Sequence, residues 1–226
     1  FPPIGGKGLV YQQLQEAQPS LDLTVFDFEA DMQEPCVLYS DEIQRVQPEG
    51  KHILLGWSAG GNLAYETGLE LENRNPGSVA AVILVDTSLV AGAPRPDAKE
   101  LDEQVDRNLL LAAEDPMYAM HLSDPAVRAA FRVTMRAYTE YLHRSANNIR
   151  PSKFAVHQIL SEDPLVDDDP RLAWQGFSAQ FVTHHGCGSH PYMLYTENLE
   201  ANGALIARIV DGLTPSEKEI IHAIHH

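Results

Sequence analysis

Apolar positions along this chain alternate between short unbroken runs and longer stretches with helical spacing. Ala80-Ala81-Val82-Ile83-Leu84-Val85 is an unbroken run, the mark of a strand buried on both faces. His52-Ile53-Leu54-Leu55, Lys153–Leu160 and Ser178–Thr183 read as further strands, and so does Leu21–Phe28, rich in β-branched and aromatic residues. Helical spacing appears over Leu9–Ala17, over Glu34–Val46 (Val37, Leu38, Ile43 and Val46 on one face), from Ser58 to about Glu72, and over Glu197–Val210. A short helix is expected at Arg171–Gly176, and an amphipathic segment at Pro215–Ile224. Breakers fall between them, at Pro19, Pro48-Glu49-Gly50 and Asn75-Pro76-Gly77. Strands alternating with helices predict an α/β fold built on a mostly parallel, doubly wound sheet.

The texture changes at Ala91-Gly92-Ala93-Pro94-Arg95-Pro96. Helical patterns near Lys99–Glu114 and Pro125–Arg144 follow with no strand between them. This predicts a single domain over residues 1–226 with a helical insertion at about 93–150, lying as a lid over the sheet's functional edge. Phe1-Pro2-Pro3-Ile4-Gly5-Gly6-Lys7-Gly8 reads as a strand end running into a Pro/Gly-rich loop. Its abrupt start, with neither a basic n-region nor an apolar h-region, suggests an excised domain without a signal peptide.

Composition narrows the function classes. The net charge of −16 argues against nucleic acid and against anionic membrane surfaces as partners. No apolar run approaches the roughly 18 residues of a membrane span. Two cysteines, Cys36 and Cys187, are too few for a disulfide framework and fit a reducing, cytoplasmic setting.

Chemistry concentrates at Gly56-Trp57-Ser58-Ala59-Gly60-Gly61, a G-x-S-x-G motif between a strand and a helix. In that context the motif predicts a nucleophile elbow, with Ser58 in a strained turn and Gly56 and Gly60 where strand and helix nearly touch. A serine needs a base, and the base needs an acid to orient it. For the base, the loop after the last strand offers His190, with His185 next and His184 beside it. The competing reading of His184, His185, Cys187 and His190 as metal ligands lacks a supporting spacing. For the acid, Asp86 ends the buried run, while Asp163 or Glu162 follows the later strand in what reads as a solvated acidic turn with Asp167, Asp168 and Asp169. One oxyanion amide is expected from Ala59, directly after the nucleophile. The other is expected from Ile4, the first residue after Pro2-Pro3 that can donate.

Phe1-Pro2-Pro3-Ile4-Gly5 with Gly8-Leu9 and Tyr11, Gln47-Pro48-Glu49-Gly50, the Gly56–Ala64 elbow, Val85-Asp86, and Gly188-Ser189-His190 with Met193-Leu194 together resemble a known family. These are the C-terminal thioesterase domains of nonribosomal peptide synthetases, and the likeness is closest to the cyclising surfactin and fengycin type. It extends over nearly the whole chain and is weakest in the helical insertion. The resemblance implies an α/β-hydrolase fold in which Ser58 accepts a peptidyl chain from the phosphopantetheine arm of an upstream carrier domain, with no cofactor bound by the domain itself. It implies His190 as base, Asp86 as acid, and Ile4 and Ala59 as oxyanion amides. Pro3 stands where the family's proline goes with cyclising release. Trp57 replaces the tyrosine usual beside the nucleophile, and the His184–Gly188 loop is atypical. The alternative within enzymes is a free-standing editing thioesterase or carboxylesterase.

Overall fold

The unbroken apolar runs become the middle of a sheet. The computed structural model describes residues 1–90, 95–114, 116–146 and 148–213. Four strands, β1 (His52–Trp57), β2 (Val79–Val85), β3 (Ala155–Leu160) and β4 (Phe181–His185), lie in that order with every pair parallel. The register pairs Trp57 with Val85, Val85 with Ile159, and Leu160 with His185. The carboxyl ends of all four strands therefore share one rim, and the residues just past them are neighbours in space.

Both faces are covered, as the unbroken run in β2 requires. Val82 and Leu84 face helices α2 (Pro35–Val46), α3 (Ala59–Arg74) and α6 (Pro125–Ser145), packing with Leu63, Tyr65, Leu71 and Tyr138. Ile83 and Val85 face α1 (Leu9–Ala17) and α7 (Thr196–Leu213), with Leu14 and Ile206 among their neighbours. Each fully buried aliphatic or aromatic side chain of this kind contributes on the order of 1.5–3 kcal/mol.

Helices α4 (Ala98–Glu114), α5 (Pro116–Leu122) and α6 separate β2 from β3 and carry a small core of their own around Val105, Leu109, Leu122 and Met135. Helix α6 starts where Asp124 accepts from the amides of Ala126 and Val127 and Pro125 needs no acceptor. Two tyrosines hold it to the sheet domain. The Tyr138 hydroxyl donates to the Pro2 carbonyl at 2.8 Å, and its ring stacks on Phe28 at 4.3 Å. Tyr141 donates to Glu66 Oε2 at 2.7 Å, and its oxygen lies 2.9 Å from Cys36 Sγ. Burial pushes the Glu66 carboxyl upward despite that hydrogen bond. The Arg132 and Arg136 pairs to Asp102 and Asp106 join α6 to α4, but they are too exposed to add much.

Several sequence expectations change. Leu21–Phe28 forms no strand, and among the described residues no strand runs beside it to complete a ladder. Its end is tied instead to the first loop, through the Phe28 amide on the Gly6 carbonyl and Asp27 Oδ1 on the Gly8 amide. The last strand begins at Phe181 rather than Ser178, whose hydroxyl binds the Phe154 carbonyl and whose backbone makes only an isolated bridge to Ser152. The short helix at Arg171–Gly176 is a 3₁₀ turn at Ala173–Phe177. The Pro215–Ile224 segment and residues 91–94 lie outside the described residues.

Tyr138→Phe removes one buried hydrogen bond and leaves the Pro2 carbonyl without it. The expected cost is about 1–2 kcal/mol in urea unfolding, with the slope unchanged. An unchanged midpoint would show that this tyrosine does not hold α6 to the first loop.

Candidate active site

The strand β1 ends at Trp57 and helix α3 begins at Ala59, so a single residue makes the turn. That residue is Ser58, at φ 55° and ψ −128°, a region that non-glycine residues occupy only under constraint. The constraint is packing. A Cβ on Gly56 would strike the backbone of Gly60 and Gly61, and one on Gly60 would strike the Phe1 and Pro2 carbonyls. The Ser58 amide bonds to the Val85 carbonyl at 2.9 Å. Its hydroxyl caps nothing in α3 and is left for another partner.

That partner is His190. The Ser58 hydroxyl reaches His190 Nε2 at 3.0 Å, and His190 Nδ1 reaches Asp86 Oδ2 at 2.7 Å. Facing a carboxylate, Nδ1 carries the proton and Nε2 is the acceptor. Asp86 also sits in the left-handed region, at φ 45°, with its amide on the Ile159 carbonyl at 2.7 Å. Its side chain is 2% exposed. Burial works against its charge. Hydrogen bonds from His190 and the Ser161 amide, the imidazole's charge and the bond from Arg171 outweigh that and hold the carboxyl at about 2. Around it, the Thr87 carbonyl accepts from the Gln158 amide group and the Trp174 indole, which pins the turn after Asp86. His190 lies at the start of a 3₁₀ turn, His190–Tyr192.

The other candidates take different places. Asp163 accepts the backbone amide of His190 at 2.7 Å, so it holds the loop and not the imidazole. Glu162 is exposed. His184 and His185 end β4; His184 Nε2 meets His157 Nδ1 at 3.0 Å, and His185 is exposed. Cys187 is exposed, and no group of three or more His, Cys, Asp or Glu side chains among the described residues could hold a metal ion. Trp57 is buried, edge-on to Tyr195 at 5.5 Å and 6.0 Å from the His190 ring. Its amide donates to the Tyr11 hydroxyl oxygen at 2.8 Å, and that hydroxyl donates to the Phe1 carbonyl at 2.6 Å. Tyr11 thus joins the Phe1–Ile4 loop to the elbow strand. Ile4 and Ala59 border the same cavity as Ser58, and Ala59, as the first residue of α3, has an amide that no helical carbonyl can take.

Two residues missed in the sequence are Arg171 and Asp169. The expected solvated acidic turn is exposed at Asp167 and Asp168, but Asp169 is buried and grips Arg171 with both carboxylate oxygens. A signal existed. Arg171 is the one Lys or Arg between Lys153 and Arg208, and it follows directly on the acidic stretch.

The cavity measures about 560 Å³ and opens above Ser58. Its apolar wall comes from the first loop and the inserted helices: Pro3, Ile4, Leu111, Phe131, Met135 and Leu142. Asn62, Gln104, Asn108 and His143 add uncharged polar groups, and among the described lining residues no Lys or Arg appears. Burial holds His143 toward its neutral form.

A parallel sheet clothed on both faces, with a strained serine at its carboxyl rim, is an α/β-hydrolase fold. Within that class the chain belongs to the thioesterase-domain family, whose family model matches residues 1–209. It is 28% identical to part of surfactin synthase subunit 3 of Bacillus subtilis (strain 168), over 95% of this chain and 16% of that protein. It is 26% identical to part of gramicidin S synthase 2 of Brevibacillus brevis, over 94% of this chain and 5% of that one. The chain therefore spans only a small part of these relatives. The solved thioesterase domain that cyclises the lipopeptide antibiotic surfactin superposes with a TM-score of 0.79 at 26% identity, covering 96% of this chain and 90% of that domain. A nocardicin thioesterase domain, solved as a covalent complex with a fluorophosphonate analogue, shares the fold at a TM-score of 0.72 and 20% identity, covering 92% of this chain and 91% of that one. No helix among the described residues is long and apolar enough to cross a membrane.

The depressed Asp86 carboxyl contributes stability that is present above its ordinary value of 3.8 and lost as pH falls through about 2. Unfolding free energy should therefore drop by roughly 2 kcal/mol more in the parent than in Asp86→Asn across that window. Parallel pH dependences for the two proteins would contradict the assignment.

Proposed function

We propose that this chain is a chain-releasing thioesterase. It takes a peptidyl or depsipeptidyl group from the phosphopantetheine arm of an upstream carrier domain onto Ser58 and releases it, chiefly as a macrocycle and otherwise as the free acid. The observation that carries this is the hydrogen-bonded relay from Ser58 through His190 to Asp86, opening into an apolar cavity. Support for a peptidyl substrate comes from the similar solved thioesterase domain that cyclises the lipopeptide surfactin.

The chemistry follows from the geometry. His190 Nε2 takes the Ser58 proton as Oγ attacks the thioester carbonyl, and Asp86 stabilises the imidazolium that results. The amides of Ala59 and Ile4 receive the oxyanion, with the positive end of α3 behind Ala59. Collapse expels the carrier thiolate, which takes its proton from His190 and leaves an ester on Ser58. In the second half, His190 deprotonates an incoming nucleophile. An internal hydroxyl or amine closes a ring, or water gives the acid, as the ester bond to Ser58 breaks and His190 returns the proton to the departing Ser58 Oγ. Pro3, Ile4 and the apolar side chains of α4 and α6 favour the tethered nucleophile by limiting water at the ester.

Peptidyl thioesters carrying or lacking an internal hydroxyl or amine separate these outcomes. Mass analysis should show mainly cyclic product from the first and only linear acid from the second, with Ser58→Ala lowering both by about 1,000-fold or more. Hydrolysis alone from both substrates would contradict cyclising release. Undiminished turnover by Ser58→Ala would overturn the whole reading.

A further inference from the structure

We propose that Arg171 is a positioning residue for the Ser58–His190–Asp86 relay: it fixes the Asp86 carboxylate and its charge sets the pH range in which His190 can accept the Ser58 proton. The inference rests on the reading of the relay as an acyl-transfer site.

A buried guanidinium needs a reason, because removing its charge from water costs several kcal/mol unless it is fully partnered. Here the Arg171 side chain is 9% exposed and every nitrogen is engaged. Nε and Nη2 take Asp169 in a two-pronged grip, at 2.9 and 2.8 Å. Nη2 also meets the Pro164 carbonyl at 3.1 Å and the Asp163 carbonyl at 3.4 Å. Nη1 is left to point at the relay, donating to Asp86 Oδ1 at 3.1 Å and to Ser161 Oγ at 3.0 Å. The Ser161 amide donates to the same Oδ1 at 2.9 Å. With Oδ1 held twice, the carboxylate cannot rotate, and Oδ2 stays aimed at His190 Nδ1. Arg171 lines no part of the cavity, so it acts only through Asp86.

His190 faces Ser58 and the Trp57 ring on the elbow side, Asp86 on the β2 side, and Asp163, which takes its backbone amide. Behind Asp86 stand Arg171 and then Asp169. Asp86 alone would favour the imidazolium and keep the base protonated. Arg171 opposes that, and Asp169 partly offsets Arg171 while holding it in place. Removing the arginine charge therefore favours imidazolium, and removing the Asp169 charge disfavours it.

The test is the pH dependence of the rate at which a small alkyl fluorophosphonate derivatises Ser58 in the full chain, read by intact mass. Arg171→Gln should slow labelling and move the acid limb of the profile up by roughly one pH unit. Asp169→Asn should move it down, and Arg171→Lys should restore the parent midpoint with part of the rate. A merely structural role would slow labelling without moving the midpoint. Unmoved midpoints, or shifts of one sign in both variants, overturn the proposal. If Arg171→Gln does not fold, the downward shift in Asp169→Asn and the parent midpoint in Arg171→Lys remain decisive. A parent protein whose Ser58 takes no probe at any pH would instead overturn the acyl-transfer reading itself.

Discussion

A single buried carboxylate, that of Asp86, is the constraint on which the rest of the site depends. It is 2% exposed and sits on a backbone of φ 45° that only firm anchoring sustains. Its charge is tolerated because donors reach both oxygens: His190 at one, the Ser161 amide and Arg171 at the other. Those donors come from two loops at the sheet's carboxyl rim. The loop from β3 to the Ala173 turn gives both Ser161 and Arg171, and the loop after β4 gives His190. Breaking the sheet register by one residue would scatter all of them.

The serine is held by a different means. Its strained turn survives because Gly56 and Gly60 let β1, α3 and the Phe1–Pro2 backbone come closer than any side chain would permit. Tyr11 then bonds both the Phe1 carbonyl and the Trp57 amide, so the first loop and the elbow move as one body. Tyr138 fastens α6 to that same loop. Strand, elbow, first loop and inserted helix are linked through a few buried hydroxyls, and the cavity lies between them.

The legible parts of the sequence were those where local pattern and tertiary role agree. The apolar run of β2 reads as a strand covered on both faces and gives a parallel α/β sheet, and the resemblance added the α/β-hydrolase fold. Ser58, Asp86 and His190 could be singled out because each sits at a strand end or in the loop after one, and such positions meet at a shared rim. Leu21–Phe28 misled because strand propensity reports fitness for a pleated surface, whereas a ladder needs a neighbour. The acidic turn misled in the opposite sense. Taken as composition, Asp163 to Asp169 looks solvated, yet Asp169 turns inward onto Arg171, two residues along, and Asp163 receives the His190 amide from the loop after β4. The reach of Arg171 to Asp86, on a different strand's end, leaves almost no local trace.

On the proposed mechanism Ser58 carries the acyl chain. Acid quenching of the protein during turnover of a peptidyl thioester, followed by peptide mapping, tests it most directly. An acyl mass is expected on the fragment containing Ser58, absent from Ser58→Ala and accumulating when the substrate lacks an internal nucleophile. Turnover with no adduct on that fragment, or an adduct that persists in Ser58→Ala, would contradict it.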